Sequence, residues 1–325
     1  MPGQLGHSRH QFVMGRTIDE ALARAAKKEY RDYRYSYDML GEAALTAADA
    51  ERYFVAYRDA ITRIGNAAGA DGDIFAAPSI SVKLSALHPR YSFTQHDRVM
   101  QELVPRVAEL ARHAKDSGIA MTIDAEESER LEISLQVFER VYRDGALRDY
   151  EGLGLALQTY QRRARGVLSF VTGLAEDVGR RIPVRLVKGA YWDTEIKHGQ
   201  ELGLTSYPVF TRKAHTDVSY LACARQALAA DSGLYPQFAT HNAHTLASIL
   251  HYAGSRRDYE FQRLHGMGEE LYAEVIDKNK FDRPCRVYAP VGSHEDLLPY
   301  LVRRLLENGA NTSFVNRIVD DSIDV

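Results

Sequence analysis

Hydrophobic and polar positions alternate along this chain in a regular rhythm. Short apolar segments fall at 35–40, 80–84, 120–123, 153–157, 184–187, 237–240, 260–264 and 286–288. Between them lie stretches in which apolar residues recur every three or four positions, at 47–68, 97–115, 128–142, 162–179, 210–229, 243–253, 269–278 and 294–308. The first set has the length of strands and the second the period of amphipathic helices. Runs such as Leu153-Gly-Leu-Ala-Leu157 are apolar almost throughout, as expected of parallel strands covered on both faces. Eight β–α units with no break in composition predict one α/β domain, most directly a (β/α)8 barrel. An open, doubly wound sheet is the alternative. It usually carries a Gly-x-Gly-x-x-Gly turn or a Walker A loop, and the sequence has neither.

Ahead of this body, Thr17-Ile-Asp-Glu20 is a capping-box pattern. It predicts a mixed-charge helix running to residue 31 and packing outside the main body. Residues 1–10 lack periodicity and read as a flexible tail or an appended remnant. The expected organisation is therefore a tail and helical arm over 1–34 and a catalytic barrel over 35–325.

Composition narrows the class without naming a chemistry. Of 325 residues, 45% are hydrophobic and 26% charged, as in a globular domain. The formal net charge of −3 gives no bulk case for nucleic acid or an anionic membrane. Two cysteines, Cys223 and Cys285, make no disulfide framework. The start has no apolar core of a signal peptide, and no run reaches the ~18 apolar residues of a membrane span. The expectation is a cytoplasmic protein whose contact with the inner membrane, if any, is peripheral.

In a barrel of this type the site lies at the C-terminal ends of the strands. Those ends offer Lys83, Asp124 with Glu126 and Glu127, Gln158, Arg185 with Lys188-Gly-Ala-Tyr191-Trp192, Thr240-His241-Asn242, Gln262 with His265, and Tyr288. Glu126 and Glu127 precede a helix, where acids favour the positive end of its dipole; Asp124, nearer the strand, is the better site candidate. His241 and His244 alone do not make a zinc site, which needs three or more converging ligands, so no metal is expected. Only strand 3 is expected to supply acids, which argues against a glycoside-hydrolase pair. Lys83 or Lys188 could form a Schiff base in a lyase-like barrel; a catalytically silent ligand-binding barrel is a further alternative. Cationic and neutral donors, many aromatics and one carboxylate suit an anionic, phosphate-bearing cofactor with a small carboxylate substrate above it. These residues alone do not distinguish flavin from nicotinamide or pyridoxal phosphate.

The segment at 294–308 adds a second cationic group. Leu298, Leu301, Val302, Leu305 and Leu306 share one helical side, and Tyr300, Arg303, Arg304 and Glu307 the other. Taken alone, that polar side is a solvated face with an Arg303–Glu307 pair worth about 0.3 kcal/mol.

Longer motifs run through the same positions. They are Tyr35-Ser-Tyr-Asp-Met-Leu-Gly41, Ser81-Val-Lys-Leu-Ser-Ala-Leu-His88, Ile123-Asp-Ala-Glu-Glu-Ser128, Arg185-Leu-Val-Lys-Gly-Ala-Tyr-Trp-Asp193, Phe238-Ala-Thr-His-Asn-Ala-His244, Tyr288-Ala-Pro-Val-Gly292 and Tyr300-Leu-Val-Arg-Arg-Leu-Leu-Glu-Asn-Gly-Ala-Asn311. Together they resemble the proline dehydrogenase domain of the bifunctional proline utilization A family, over residues 12–319. The resemblance implies a distorted (β/α)8 TIM-type barrel that binds FAD non-covalently, with the last helix across the barrel mouth. It implies oxidation of L-proline to Δ1-pyrroline-5-carboxylate by hydride transfer to the flavin, with electrons passed to a membrane quinone. Arg303, Arg304 and Lys83 match residues that hold the proline carboxylate. Tyr288, Tyr300 and Tyr191 match the walls around the ring, with Asp124 near them. Arg185 and Gln158 match residues bonded to the isoalloxazine. Lys188, Gly189, Ala190, Trp192, Thr211, Arg212, Lys213, Thr240, His241, Asn242 and Glu307 fall where that family binds the rest of FAD. The family's DNA-binding and aldehyde dehydrogenase segments have no counterpart in the sequence, so the expectation is the first oxidation step alone.

Overall fold

In this computed structural model, residues 13–69, 72–230 and 233–292 are described. The elements follow in chain order as α1 (Ile18–Ala25), β1 (Arg34–Met39), α2 (Ala47–Ala68), β2 (Ser79–Val82), α3 (Leu84–Leu87), α4 (His96–Asp116), β3 (Ala120–Ile123), α5 (Leu131–Tyr142), β4 (Leu153–Gln158), α6 (Ala164–Val178), β5 (Ile182–Val187), α7 (Trp192–Glu201), α8 (Lys213–Ala229), β6 (Leu234–Ala239), α9 (Ala243–Ala253), β7 (Glu260–Leu264), α10 (Glu269–Ile276) and β8 (Cys285–Val291). The eight strands pair in sequence order, all parallel, and close into a barrel through β1 and β8. That closure runs from Arg34 opposite Arg286 to Met39 opposite Val291. The (β/α)8 architecture read from the sequence is the architecture found.

Local chemistry sets the element ends. The Thr17 hydroxyl accepts from the Glu20 amide at the start of α1, and Thr46 and Asp49 form a reciprocal capping box on α2. Asn242 caps α9 by accepting from the Thr245 amide. Gly179 ends α6 in the left-handed conformation that glycine adopts without a Cβ clash. A Cβ on Gly154 would sit 2.4 Å from the Pro183 carbonyl oxygen, so only glycine lets β4 and β5 approach this closely.

The strands alternate between two environments. Outward residues such as Ile80, Val82, Met121, Ile123, Leu153, Leu155, Val184, Leu186, Phe238 and Phe261 are buried under the helices. Each such side chain contributes about 1.5–3 kcal/mol of burial free energy. Along the axis the residues are instead polar: Ser36, Asp38, Ser81, Asp124, Arg185, Gln237, Glu260, Gln262 and Arg286, all buried. The apolar core is thus a shell between barrel and helices, and an ionic network replaces the branched aliphatic layers usual inside such barrels.

Three local expectations are corrected. Strands β5 and β6 begin at Ile182 and Leu234, earlier than the apolar runs suggest, because Pro183 and Pro236 near their starts read as breakers. Helix α7 is absent from the sequence pattern. Its buried positions are Glu195 and Gly199, so it carries no apolar stripe to reveal it. The arm helix ends at Ala25 rather than running to residue 31. It packs onto the barrel, with Ala21 fully buried. The helix expected at 294–308 lies outside the described residues.

Candidate active site

At the C-terminal mouth, side chains from β1, β5, β8 and the residues that follow β2 and β3 converge on one ion cluster. Lys83 Nζ lies 2.7 Å from Asp38 Oδ1 and 3.3 Å from Asp124 Oδ2. Tyr288 donates its hydroxyl to Asp124 Oδ2 at 2.7 Å. Arg185 donates from Nη1 to Asp124 Oδ1 at 2.6 Å. It then reaches across the barrel from β5 to β1, donating from Nη2 to the Ser36 and Ser81 hydroxyls at 3.0 and 3.1 Å. Its Nε donates to Gln262 Oε1 at 2.7 Å. Serines at 36 and 81 leave room on the opposite wall for the guanidinium.

The charge states follow from these contacts. Burial would raise the Asp124 carboxyl, but Lys83, Arg185 and the Tyr288 hydrogen bond outweigh it and hold it below its ordinary value. Burial would depress the Lys83 ammonium, yet Asp38, Tyr288 and Asp124 hold it well above the usual lysine value. Burial and the carboxylates of Asp124 and Asp38 push the Tyr288 phenol well up, so it stays protonated and donates. Removing one partner of a buried pair of this kind costs about 3–5 kcal/mol.

Around the mouth, loops are tied by side chains to backbone. Gln158 donates from Nε2 to the Glu126 carbonyl at 2.6 Å, while its Oε1, also buried, has no partner among the described residues. The Glu126 carboxylate accepts from the Ser85 amide at 3.0 Å and pairs with Arg130. Glu126 therefore binds the first-turn amide of the short helix α3, rather than only the helix that follows it. Glu195 accepts from the Ser128 amide at 2.6 Å and from its hydroxyl, anchoring the start of α7. Gly189, at φ +144°, lies so close to the Tyr160 ring that a Cβ would meet it at 2.5 Å.

Lys83, Asp124, Arg185 and Tyr288 thus come together, with Gln158 at the end of the adjoining β4. Lys188, Gly189, Ala190 and Tyr191 form the turn between β5 and α7, which Trp192 begins, all partly buried. There Lys188 pairs with Asp217 on α8, and Trp192 donates to the Phe210 carbonyl at 2.9 Å. Thr211, Arg212 and Lys213 are exposed where α8 begins. Thr240 is buried and accepts from the Asn242 amide at 3.1 Å, while His241 accepts from the Leu264 amide through Nε2 at 3.1 Å. Tyr300, Arg303, Arg304 and Glu307 lie outside the described residues.

The expectation that strand 3 alone supplies an acid fails. Asp38 on β1 faces the cluster and Glu260 on β7 faces the axis below it. The alternation Arg34-Tyr-Ser36-Tyr-Asp38 holds the signal, but it reads equally as a strand with its polar face in water. Asp38 and Asp124 do not form a free carboxylate pair, because Lys83 bridges them.

The fold and its centre define the class, a (β/α)8 barrel with an ion-lined mouth suited to a polar ligand. More particularly, the chain belongs to the proline dehydrogenase family, whose model matches residues 21–317. It is 59% identical over 319 residues to the bifunctional protein PutA of Escherichia coli, covering 96% of this chain and 24% of that protein. A solved structure of a variant PutA from Bradyrhizobium japonicum aligns with TM-score 0.87 and 55% identity, covering 96% of this chain and 32% of that one. PutA from Bdellovibrio bacteriovorus, inactivated by N-propargylglycine, aligns with TM-score 0.90 and 31% identity, covering 98% and 34%. The chain spans about a quarter of the length of the curated relatives it matches.

Proposed function

We propose that this chain oxidises L-proline to Δ1-pyrroline-5-carboxylate, using non-covalently bound FAD and returning electrons to a quinone. The observation that carries this reading is the Lys83–Asp124–Arg185–Tyr288 cluster, with Gln158 at the end of the adjoining β4, whose Oε1 has no partner among the described residues. A flat heterocycle with its own N–H fits that acceptor. Among the described residues Arg185 spends four of its five N–H donors on Ser36, Ser81, Asp124 and Gln262, which leaves one on Nη1 for a further acceptor. Ala190 keeps the β5 turn small, where Gly189 packs on the Tyr160 ring, and Arg212 at the start of α8 is an exposed cation suited to a phosphate. Bound there, the flavin would accept a hydride from the substrate.

The protein's own contribution is placement and charge. In the described part of the mouth, Lys83 and Arg185 are balanced by Asp38 and Asp124. A substrate carboxylate therefore needs further cations, and Arg303 and Arg304 are the proposed ones. Two charge-assisted hydrogen bonds, each worth about 1.5–3 kcal/mol, would hold so small an anion. Tyr288 and Tyr191, with Tyr300, would wall the ring and limit its angle to the acceptor, which is where much of the rate in such a transfer originates. The fixed Arg185 charge favours an anion developing beside it. A Schiff-base lyase is disfavoured. Lys83 is an ammonium clamped between two carboxylates, and Lys188 pairs with Asp217, whereas a nucleophilic lysine needs a depressed pKa.

The visible spectrum tests the reading. The purified protein should be yellow, release FAD on denaturation and bleach when L-proline is added without oxygen. A colourless protein that borohydride traps with a carbonyl compound would establish the lyase instead.

A further inference from the structure

Below the mouth, the ion cluster continues down the barrel axis. Glu260 on β7 is fully buried, and its carboxylate is held on every side. Oε1 accepts from Arg286 Nε at 2.6 Å, from Gln262 Nε2 at 2.9 Å and from Gln237 Nε2 at 3.0 Å. Oε2 accepts from Arg34 at 3.0 Å and from Arg286 Nη2 at 3.1 Å. Arg286 is fixed in turn by the carbonyls of Phe75 and Ala77 at the barrel floor. Such a carboxylate has no freedom to turn.

That rigidity decides the state of its neighbour. Gln262 gives its amide N–H to Glu260 and presents its carbonyl to Arg185 Nε at 2.7 Å. Turned over, the amide would set donor against donor at Arg185 and acceptor against acceptor at Glu260. We propose that Gln262, locked by Glu260, is the positioning residue that sets the plane of the Arg185 guanidinium and aims its remaining Nη1 donor at the mouth. Asp124 alone could pair with Arg185 in several rotations. A bond at Nε as well as at both terminal nitrogens leaves one orientation. The floor of the barrel thereby fixes the geometry of a group at its opposite end. The inference rests on the reading of Arg185 as a flavin contact.

The test compares Gln262→Met with Gln262→Glu in the flavin-loaded protein. The Met side chain keeps length and volume but accepts nothing from Arg185. The Glu side chain accepts from Arg185 Nε and, protonated, still donates to Glu260. The expected result for Gln262→Met is undiminished flavin content, a proline KM within about twofold of the parent, a flavin midpoint potential shifted negative, and reduction by proline slowed about tenfold, equivalent to ~1.4 kcal/mol. Gln262→Glu should restore rate and potential toward the parent, more fully as pH falls. If Gln262→Met fails to fold, Gln262→Asn, too short to join both partners, replaces it in the comparison. A folded, loaded Met or Asn variant with parental potential and rate overturns the proposal, as does a Glu variant no better than Met at any pH. A parent protein that binds no flavin, or is not reduced by proline, overturns the flavin reading instead.

Discussion

Arg185 and Asp124 show how much of the site depends on single side chains that serve one another. Arg185 is visible in the sequence as a cation on a strand, and Asp124 as an acid at a strand end. Their mutual bond, the serines that make room for it and the Gln262 carbonyl behind it are not. Inward positions on strands two to four apart in the barrel meet only once it closes, and no local pattern records that meeting. Lys83 illustrates the opposite case. Its position is legible, but its charge is already compensated by Asp38 and Asp124. The cations that select a carboxylate should then be elsewhere. Arg304→Met is accordingly expected to raise the proline KM at least about tenfold, the ~1.4 kcal/mol of a lost charge-assisted bond, while flavin content stays at the parental level. Steady-state kinetics beside the flavin-to-protein absorbance ratio measure both; an unchanged KM would remove Arg304 from substrate binding.

At the scale of elements, the pattern locates every strand because each buries an apolar outer row beneath a helix. It fails at α7, where the buried positions are polar or glycine. The arm helix α1 is legible from its cap, and its docking adds a pH response. His265, following β7, is buried, and its Nε2 has no partner among the described residues. Burial, then the charges of Arg24 on α1 and Arg263 on β7, lower it from 6.5 to about 4. The folded state thus refuses a proton that the unfolded chain accepts. Stability is unaffected by His265 above its unfolded value and is lost as pH falls from 6.5 toward about 4. By pH ~5 the loss amounts to roughly 2 kcal/mol, since each pH interval of one below the unfolded value costs about 1.36 kcal/mol. Urea unfolding at neutral and mildly acid pH should show this loss, and His265→Gln should flatten it. Identical slopes in the two proteins would place the acid sensitivity in other groups.

For the whole molecule, the barrel separates two tasks. An apolar shell outside the strands supplies the cohesion, while the axis carries charged groups in alternation from Arg286 and Glu260 at the floor to Arg185, Asp124, Lys83 and Asp38 at the mouth. The repeated β–α rhythm predicts a parallel α/β domain, and the lack of a Gly-x-Gly-x-x-Gly or Walker A turn favours closure over an open sheet. That the axis is ionic is not legible, because a period of two assigns residues to faces without saying which face is wet. Such a network ties the mouth to the barrel floor, which suits the proposed reaction, whose main demand is alignment of a carbon–hydrogen bond with an acceptor. The central claim is that this chain breaks that bond in proline at C5, the ring methylene next to nitrogen. Rapid-mixing measurement of flavin bleaching without oxygen, with L-proline and with L-proline deuterated at that carbon, tests it most directly. The account predicts bleaching by both, slowed several-fold by deuterium. Bleaching at equal rates would contradict hydride transfer as the slow step, and an oxidised-flavin band untouched by proline would contradict the account itself.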